Sequence, residues 1–417
     1  MIISRKNLLK VILVIAYLSA ILRPSADSNI TLFRLTIPLA MVLIYQVSAS
    51  YAFNLLKATM AMATVSAFQL CLTKYVFFPG LETLTWIHQI AYLIHIFSLF
   101  LVIAIIYALR KCCGQNFLQE IVSLGSLFVE CCTVAYIVFL LTGREPAQFL
   151  LFGNVNDFGC VLAIGTALLM IDQKKRVGFK LFWILVFLII LLYNDSKLAL
   201  LGALIMIALF LIKFVAARVI QREKVLIGWF LVAVGIVIVG ILLSGDLMIN
   251  NYNISKIVQS VLKKVTTGEF YKHSSSSEAF RTNAIVGLLQ IMKESCCIGV
   301  GFGNSSLILK DLMPDMYGEL AKHSYVASHT WWLEVMSDGG IIVIVLALKC
   351  YLKQVYIFFS QRSDTNQLFS NMLVISFPIW CMSSSGLYTE FFSISMLAVA
   401  VVMINNPTRR ITLKYRR

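Results

Sequence analysis

Residues 328–348 read S-H-T-W-W-L-E-V-M-S-D-G-G-I-I-V-I-V-L-A-L. The first half mixes a histidine, two tryptophans and two acids; the second half is an uncharged apolar run. Carried on to residue 352, the segment offers roughly the 20 residues that a helix needs to cross a bilayer. It reads as the point where a polar outer segment re-enters a membrane.

Composition agrees with that reading. The chain has 417 residues, 59% hydrophobic and 13% charged, with mean hydropathy +0.86. A soluble domain carries about twice that share of charge. The ten cysteines contain no C-x-x-C, and six of them form the adjacent pairs Cys112–Cys113, Cys131–Cys132 and Cys296–Cys297. Most lie in or beside apolar runs, where a thiol acts as a small hydrophobe, so neither a zinc site nor a disulfide framework is expected. The formal charge of +15 suggests orientation in a membrane rather than nucleic-acid binding.

Further apolar runs occur near 8–22, 30–47, 56–78, 86–109, 120–142, 150–171, 179–193, 198–216, 225–244, 329–352, 367–384 and 387–405. The expected architecture is an all-α integral membrane protein with about twelve spans (ten to twelve). The basic start "MIISRKNLLK" is expected to lead into a retained first span. With both termini inside, the inner segments hold 22 Lys and Arg and the short outer segments hold five, the bias that orients a membrane chain. This places the protein in a plasma membrane, multi-pass, with both termini cytoplasmic.

Residues 245–328 do not fit a bare bundle. They form one long outer loop between an N-terminal bundle, 1–244, and the C-terminal spans with a basic tail, 329–417. Loops of this length are usually functional or disordered. Within it, "EAFRTNAIVGLLQIMKES" (278–295) sets Phe280, Ala284, Leu288 and Ile291 at helical spacing, with serines 274–277 ready to cap the start. An amphipathic helix on the outer surface is expected.

Four polar clusters should meet at the outer edge: "TGREP" (142–146), "GNVNDF" (153–158), "NDSK" (194–197), and the loop with Arg281 and His329. Ionisable residues near membrane depth are a functional hypothesis by default. Each has two readings. Gly301 and Gly303, in "GVGFGNSS", either end a helix in a turn or offer backbone N–H groups to a phosphate. Arg281, in the first turn of its helix, is solvated or grips phosphate through its planar fork. Lys197 and Arg144 snorkel to headgroups or bind an anion. Asp157 caps a helix, while Asn154 and Asn156 are turn residues or ligand contacts. His329 is an interfacial side chain, or a base that takes a proton from a sugar hydroxyl. Glu334 or Asp338 would then orient it, and His323 is a nearby competitor. Trp331 and Trp332 are expected in the interfacial aromatic belt.

Taken in order, the arginine-bearing helix, "GVGFGNS" and "SHTWWLEVMSDGG" resemble the O-antigen ligase and polymerase superfamily, whose histidine motif is close to H-N-x-x-L-x-x-x-x-x-x-G. Here His329, Leu333 and Gly339 or Gly340 match, and Thr330 stands for the usual Asn. "GNVNDFG" resembles the G-N-x-N-D-F-A of teichuronic-acid and capsule polymerases. "NDSKLALLGAL" resembles S-R-x-x-x-L, with Lys197 in place of arginine. The likeness spans roughly residues 140–400. It implies a GT-C-like glycosyltransferase that moves a glycan from undecaprenyl diphosphate to a sugar hydroxyl on the outer face of a bacterial plasma membrane. By that resemblance His329 activates the acceptor, while Arg281 and Lys197 hold the diphosphate. Arg144, Asn156, Asp157, Gly301, Gly303 and Glu334 are further substrate contacts. No cofactor or metal is expected, since fixed cations can take the developing charge. Partners implied are lipid-linked donor and acceptor, a flippase and a chain-length regulator. A repeat-unit polymerase is the first reading and a ligase the second. A lipid-oligosaccharide transporter is third, because transporters favour internal repeats and midplane sites.

Overall fold

The structure is a computed structural model that describes residues 4–19, 31–80, 86–144, 155–194, 196–220, 248–249, 252–253, 277–312, 330–360, 365–381 and 391–404. Side chains at 86–89, 91–92, 155, 214–220, 277–282, 360, 365–366 and 404, and those of the short strands, lie outside the described set.

Apolar helices make up nearly all of it. In chain order they are α1 (Arg5–Tyr17), α2 (Leu32–Leu35), α3 (Ile37–Val47), α4 (Ala49–Leu72), α5 (Trp86–Cys113), α6 (Phe117–Leu141), α7 (Val155–Ile171), α8 (Val177–Tyr193) and α9 (Lys197–Ile220). After a two-residue hairpin, β1 (Met248–Ile249) with β2 (Tyr252–Asn253), come α10 (Ser277–Glu294), α11 (Asn304–Leu312), α12 (Trp331–Ser360), α13 (Thr365–Trp380) and α14 (Phe391–Ile404). Each expected span has a helix within it except 225–244, which lies outside the described residues. Local chemistry sets several ends. Ser4 caps α1 by accepting from the Asn7 N–H at 3.3 Å, and Pro38 sits at the start of α3, where its missing N–H costs nothing. The expected span 30–47 is broken at Thr36, between α2 and α3.

Among the described residues, three stretches are long and apolar enough to cross a membrane: Ala49–Phe77, Leu93–Leu141 and Trp331–Phe359. The second is α5 and α6 joined through a 3-10 turn at Gly114–Asn116. Their outward faces carry Phe53, Met60, Phe68, Ile342, Leu346, Leu352, Tyr356 and Phe359, all exposed. Water would not tolerate so continuous an apolar face, and a bilayer does. The chain is a membrane protein.

Contacts define two ends. At the basic end Lys6 pairs with Glu120 at 2.8 Å, Lys10 pairs with the same carboxylate, and Arg110 donates to the Val402 carbonyl at 3.0 Å. At the opposite end Phe33 meets Phe391, with ring centroids 5.1 Å apart, and Tyr136 donates to Asn194. The main core runs between these ends through α1, α5, α6, α7, α9, α13 and α14. A second, small core of Leu70, Phe78, Leu288, Ile291, Val300, Leu307, Ile308 and Leu333 fastens α10 and α11 to the top of α4 and the start of α12. The amphipathic helix expected over 278–295 is α10, and Ala284, Leu288 and Ile291 form its buried face.

Candidate functional site

Three sequence clusters meet at the opposite end, and the residue that joins them is Trp380, at the end of α13. Trp380 is fully buried. On one side the Cys160 thiol of α7 donates to its carbonyl at 3.1 Å. On another side α9 comes so close that a Cβ on Gly202 would lie 2.5 Å from the Trp380 Cβ. On a third, the Trp331 ring of α12 lies 6.2 Å away, and Phe377 packs against both indoles. The starts of α7, α9 and α12 therefore stand together. Each start presents backbone N–H groups that have no partner within their own helix, and the positive end of its dipole.

On these starts sit the predicted residues. Asp157, 1% exposed, is in the first turn of α7 beside half-buried Asn156. Lys197 opens α9 and is half-buried. The two clusters touch: a Cβ on Gly159 would lie 3.1 Å from the Ser196 hydroxyl and 3.2 Å from Ala199. Thr330 and Glu334 are both fully buried in the first turn of α12. Arg144 departs from the group. It is exposed beyond the end of α6, its guanidinium 5.6 Å from the Phe139 ring centroid, a position that suits snorkelling. His329, His323 and Asn154 lie outside the described residues, as does the Arg281 side chain. The backbone of Arg281 is in the second turn of α10, a slight change from the expected first turn.

The tryptophans require a correction. An interfacial belt was expected, but Trp331 is 1% exposed and belongs to the main core. Trp332 packs on both cores and so bridges bundle and loop. The indole N–H groups of both are buried without an acceptor among the described residues. For Trp331, tilted ring contacts with Trp380 and Phe377 take the place of a position at the headgroups.

Beside this convergence lies a clasp. The run 297–301, irregular backbone with positive φ at Cys297, Gly299 and Gly301, lies along residues 337–341. Val300 N–H donates to the Ser337 carbonyl at 3.1 Å, Gly301 N–H to the Asp338 carbonyl at 3.0 Å, and Ile341 N–H to the Cys297 carbonyl at 2.7 Å. The Asp338 carboxylate accepts from Gly303 N–H at 2.7 Å and Ser305 N–H at 3.0 Å, so it caps α11. Gly340 makes room for this. Its φ of 67° and ψ of −157° break α12 in two, and a Cβ there would lie 2.0 Å from the Ile298 carbonyl oxygen. The N–H groups of Gly301 and Gly303, for which a phosphate nest was one of the two readings, thus donate to Asp338 in this structure.

Membrane helix α4 holds the clasp from below. Ser66, Gln69 and Thr73 recur at three and four residues, on one face. The Ser66 hydroxyl accepts from Phe302 N–H at 3.1 Å. Gln69 donates to the Ile298 carbonyl at 2.8 Å, and Thr73 to that of Val300 at 3.1 Å. Thr73 opens a π-helical turn, Thr73–Phe77, a widening often found near functional sites. Sequence reading missed this stripe and Trp380. The available signal was polar residues at helical spacing inside an apolar span.

Among known proteins, a family model described as O-antigen ligase matches residues 159–348. The matched region begins in the first turns of α7 and ends within α12, so it contains Lys197, the start of α12 and the 297–341 part of the clasp, while Asn156, Asp157 and Trp380 lie outside it. No curated protein matches the chain.

Proposed function

From the O-antigen ligase/polymerase superfamily, which the match over 159–348 supports for this chain, we propose that the protein is a membrane glycosyltransferase. It extends a surface polysaccharide by joining repeat units carried on undecaprenyl diphosphate. The observation that carries this reading is the meeting of three helix starts around Trp380, with Lys197 at one of them. Helix N-termini favour anions. Diphosphate is a dianion or more that gains charge as its bond to the sugar breaks, so fixed positive potential there lowers the barrier. Arg281 and Lys197 are assigned to the diphosphate. His329, one residue before the buried first turn of α12, is assigned as the base that takes the acceptor proton.

The family's description as O-antigen ligase favours a second reading, a ligase that moves finished glycan to another acceptor. Donor chemistry is the same, so the distinction lies in what accumulates. Deleting the gene for a polymerase leaves single lipid-linked repeat units; deleting that for a ligase leaves long lipid-linked chains.

The direct test is turnover of a defined lipid-linked repeat unit by purified protein. His329→Ala should lower the rate by roughly 10²–10⁴-fold, the usual loss with a general base. Arg281→Ala should lower it by about 10²–10³-fold. Membrane insertion should be normal in both. Wild-type rates from His329→Ala would remove the assigned base. Transport of the lipid without bond formation by the wild-type chain would remove the reading altogether.

A further inference from the structure

Of the three pairs of adjacent cysteines, one differs from the other two in its backbone. Cys112–Cys113 closes α5 and Cys131–Cys132 lies inside α6. Successive residues of an α-helix point about 100° apart, so neither pair brings its sulfurs together while the helix is intact. Cys296–Cys297 lies beyond the end of α10, in a turn, with φ of 49° and 58°. Among the described residues these are the only non-glycine positions with positive φ. Such a backbone is ordinarily left to glycine, and L-residues seldom adopt it twice in succession. Both side chains are free thiols; Cys296 is exposed and Cys297 half-buried.

The turn is tied to its surroundings through its backbone. Cys296 N–H donates to the Lys293 carbonyl at 3.1 Å and Cys297 N–H to that of Met292 at 2.8 Å, which ends α10. The Cys297 carbonyl accepts from Ile341 N–H at 2.7 Å, and the next carbonyl, that of Ile298, accepts from Gln69 Nε2 at 2.8 Å. The pair therefore joins the helix that carries Arg281 to the clasp on α12. On the pair's side every one of these bonds is made by the backbone. Glycine would hold the same turn with less strain, so the two thiols call for another account.

We infer that Cys296 and Cys297 form a thiol–disulfide exchange site, which closes reversibly into a disulfide between neighbouring residues. The thiolate of exposed Cys296 attacks one sulfur of a partner disulfide, giving a mixed disulfide and releasing one partner thiol. The Cys297 thiolate then attacks the Cys296 sulfur, which releases the second partner thiol and closes the ring. The two cysteines give up two protons and two electrons, and the partner disulfide takes them up to become two thiols. The partner is by class a disulfide, of a small thiol or a dithiol oxidoreductase, as an oxidising outer face supplies. That source, unlike the ring, rests on the outward placement of this loop in the proposed function. Consecutive Cα atoms are about 3.8 Å apart, below the roughly 4.4 Å at the short end of ordinary disulfides. The ring is therefore strained and readily reduced, and closing it re-aims the backbone at 296–297. The Cys297 carbonyl then leaves Ile341 N–H, and the clasp loosens.

The test equilibrates the purified full chain in detergent with glutathione buffers of rising disulfide content, blocks the remaining thiols and digests with trypsin. Cleavage after Lys293 and Lys310 gives peptide 294–310, whose only cysteines are Cys296 and Cys297. The expected product is that peptide lighter by two hydrogens, restored by dithiothreitol, with no such bridge at Cys112–Cys113 or Cys131–Cys132. Amide hydrogen exchange at Ile341 should quicken by about three- to tenfold in the oxidised protein, the scale of one lost hydrogen bond. Cys297→Ser should give only a glutathione adduct on Cys296, with Ile341 exchange at the reduced rate. The double variant Cys296→Gly/Cys297→Gly relieves the turn, so it should unfold no earlier than wild type and ignore the oxidant. A wild-type peptide that carries glutathione and never the bridge overturns the site. A bridge that leaves Ile341 exchange unchanged overturns its coupling to the clasp. Protein that closes the ring but joins no repeat units overturns the proposed function and leaves this site standing.

Discussion

Two polar clusters sit at the same end of the bundle, and they differ in how far their hydrogen bonds are satisfied. In the clasp, Val300, Gly301, Phe302, Gly303 and Ser305 all give their N–H groups to named acceptors on α12 or α4. Between α8 and α9, two buried polar atoms, Asn194 Nδ2 and Ser196 Oγ, have no partner among the described residues. A satisfied network rigidifies, whereas an unsatisfied one costs stability unless something else completes it. The first cluster therefore reads as scaffold, and the second carries polar groups that no described residue completes.

The largest test of the contrast is Gly340→Ala. The backbone there, φ 67° and ψ −157°, is a conformation that only glycine takes without strain, and the new Cβ would overlap the Ile298 carbonyl. Strain of this kind costs about 1–3 kcal/mol before any clash is counted, so a loss of about 3 kcal/mol or more is expected. Measured by thermal unfolding in detergent, the variant should show a clear drop in midpoint, and turnover should fall with it. A wild-type midpoint would mean that the clasp does not hold the loop.

Asp338→Asn comes next. Its carboxylate accepts from two backbone N–H groups, and an amide offers one acceptor and turns a donor toward the other N–H. Hydrogen bonds to a charged group contribute about 1.5–3 kcal/mol, so a loss in that range is expected. Turnover by the folded protein should change little. A variant that unfolds normally but loses turnover would put the clasp in the catalytic site and erase the distinction drawn between the two clusters.

Legibility followed the same division. The helices were readable because apolar runs of about 20 residues have few alternatives in a chain this hydrophobic. The buried face of α10 was readable from its periodicity, since Ala284, Leu288 and Ile291 recur as a helix requires. Long-range partners were not. Nothing local says that Asp338 caps α11, 33 residues before it in the chain, or that Ser66 meets Phe302, 236 residues away. The Trp331 placement failed for a related reason: a tryptophan beside a polar rim fits an interfacial belt, and only the packed α13 shows Trp380 and Phe377 waiting for it. The break at Gly340 was equally hidden, because "DGG" before an apolar run reads as a helix start.

The smallest effect, and the finest probe of the contrast, is Thr73→Val. The substitution removes one hydrogen bond from the clasp, that of Thr73 Oγ1 to the Val300 carbonyl, and nearly conserves volume. The same carbonyl also accepts from Asn304 Nδ2 at 2.8 Å. No acceptor is left unsatisfied, so the desolvation penalty that usually accompanies such a change is absent. A loss of about 0.5 kcal/mol is expected, against roughly three to six times that for Asp338→Asn, where a buried N–H is left facing a donor. If Thr73→Val matches Asp338→Asn in unfolding midpoint, α4 and not α12 carries the loop, and the clasp would be centred on the membrane helix below it.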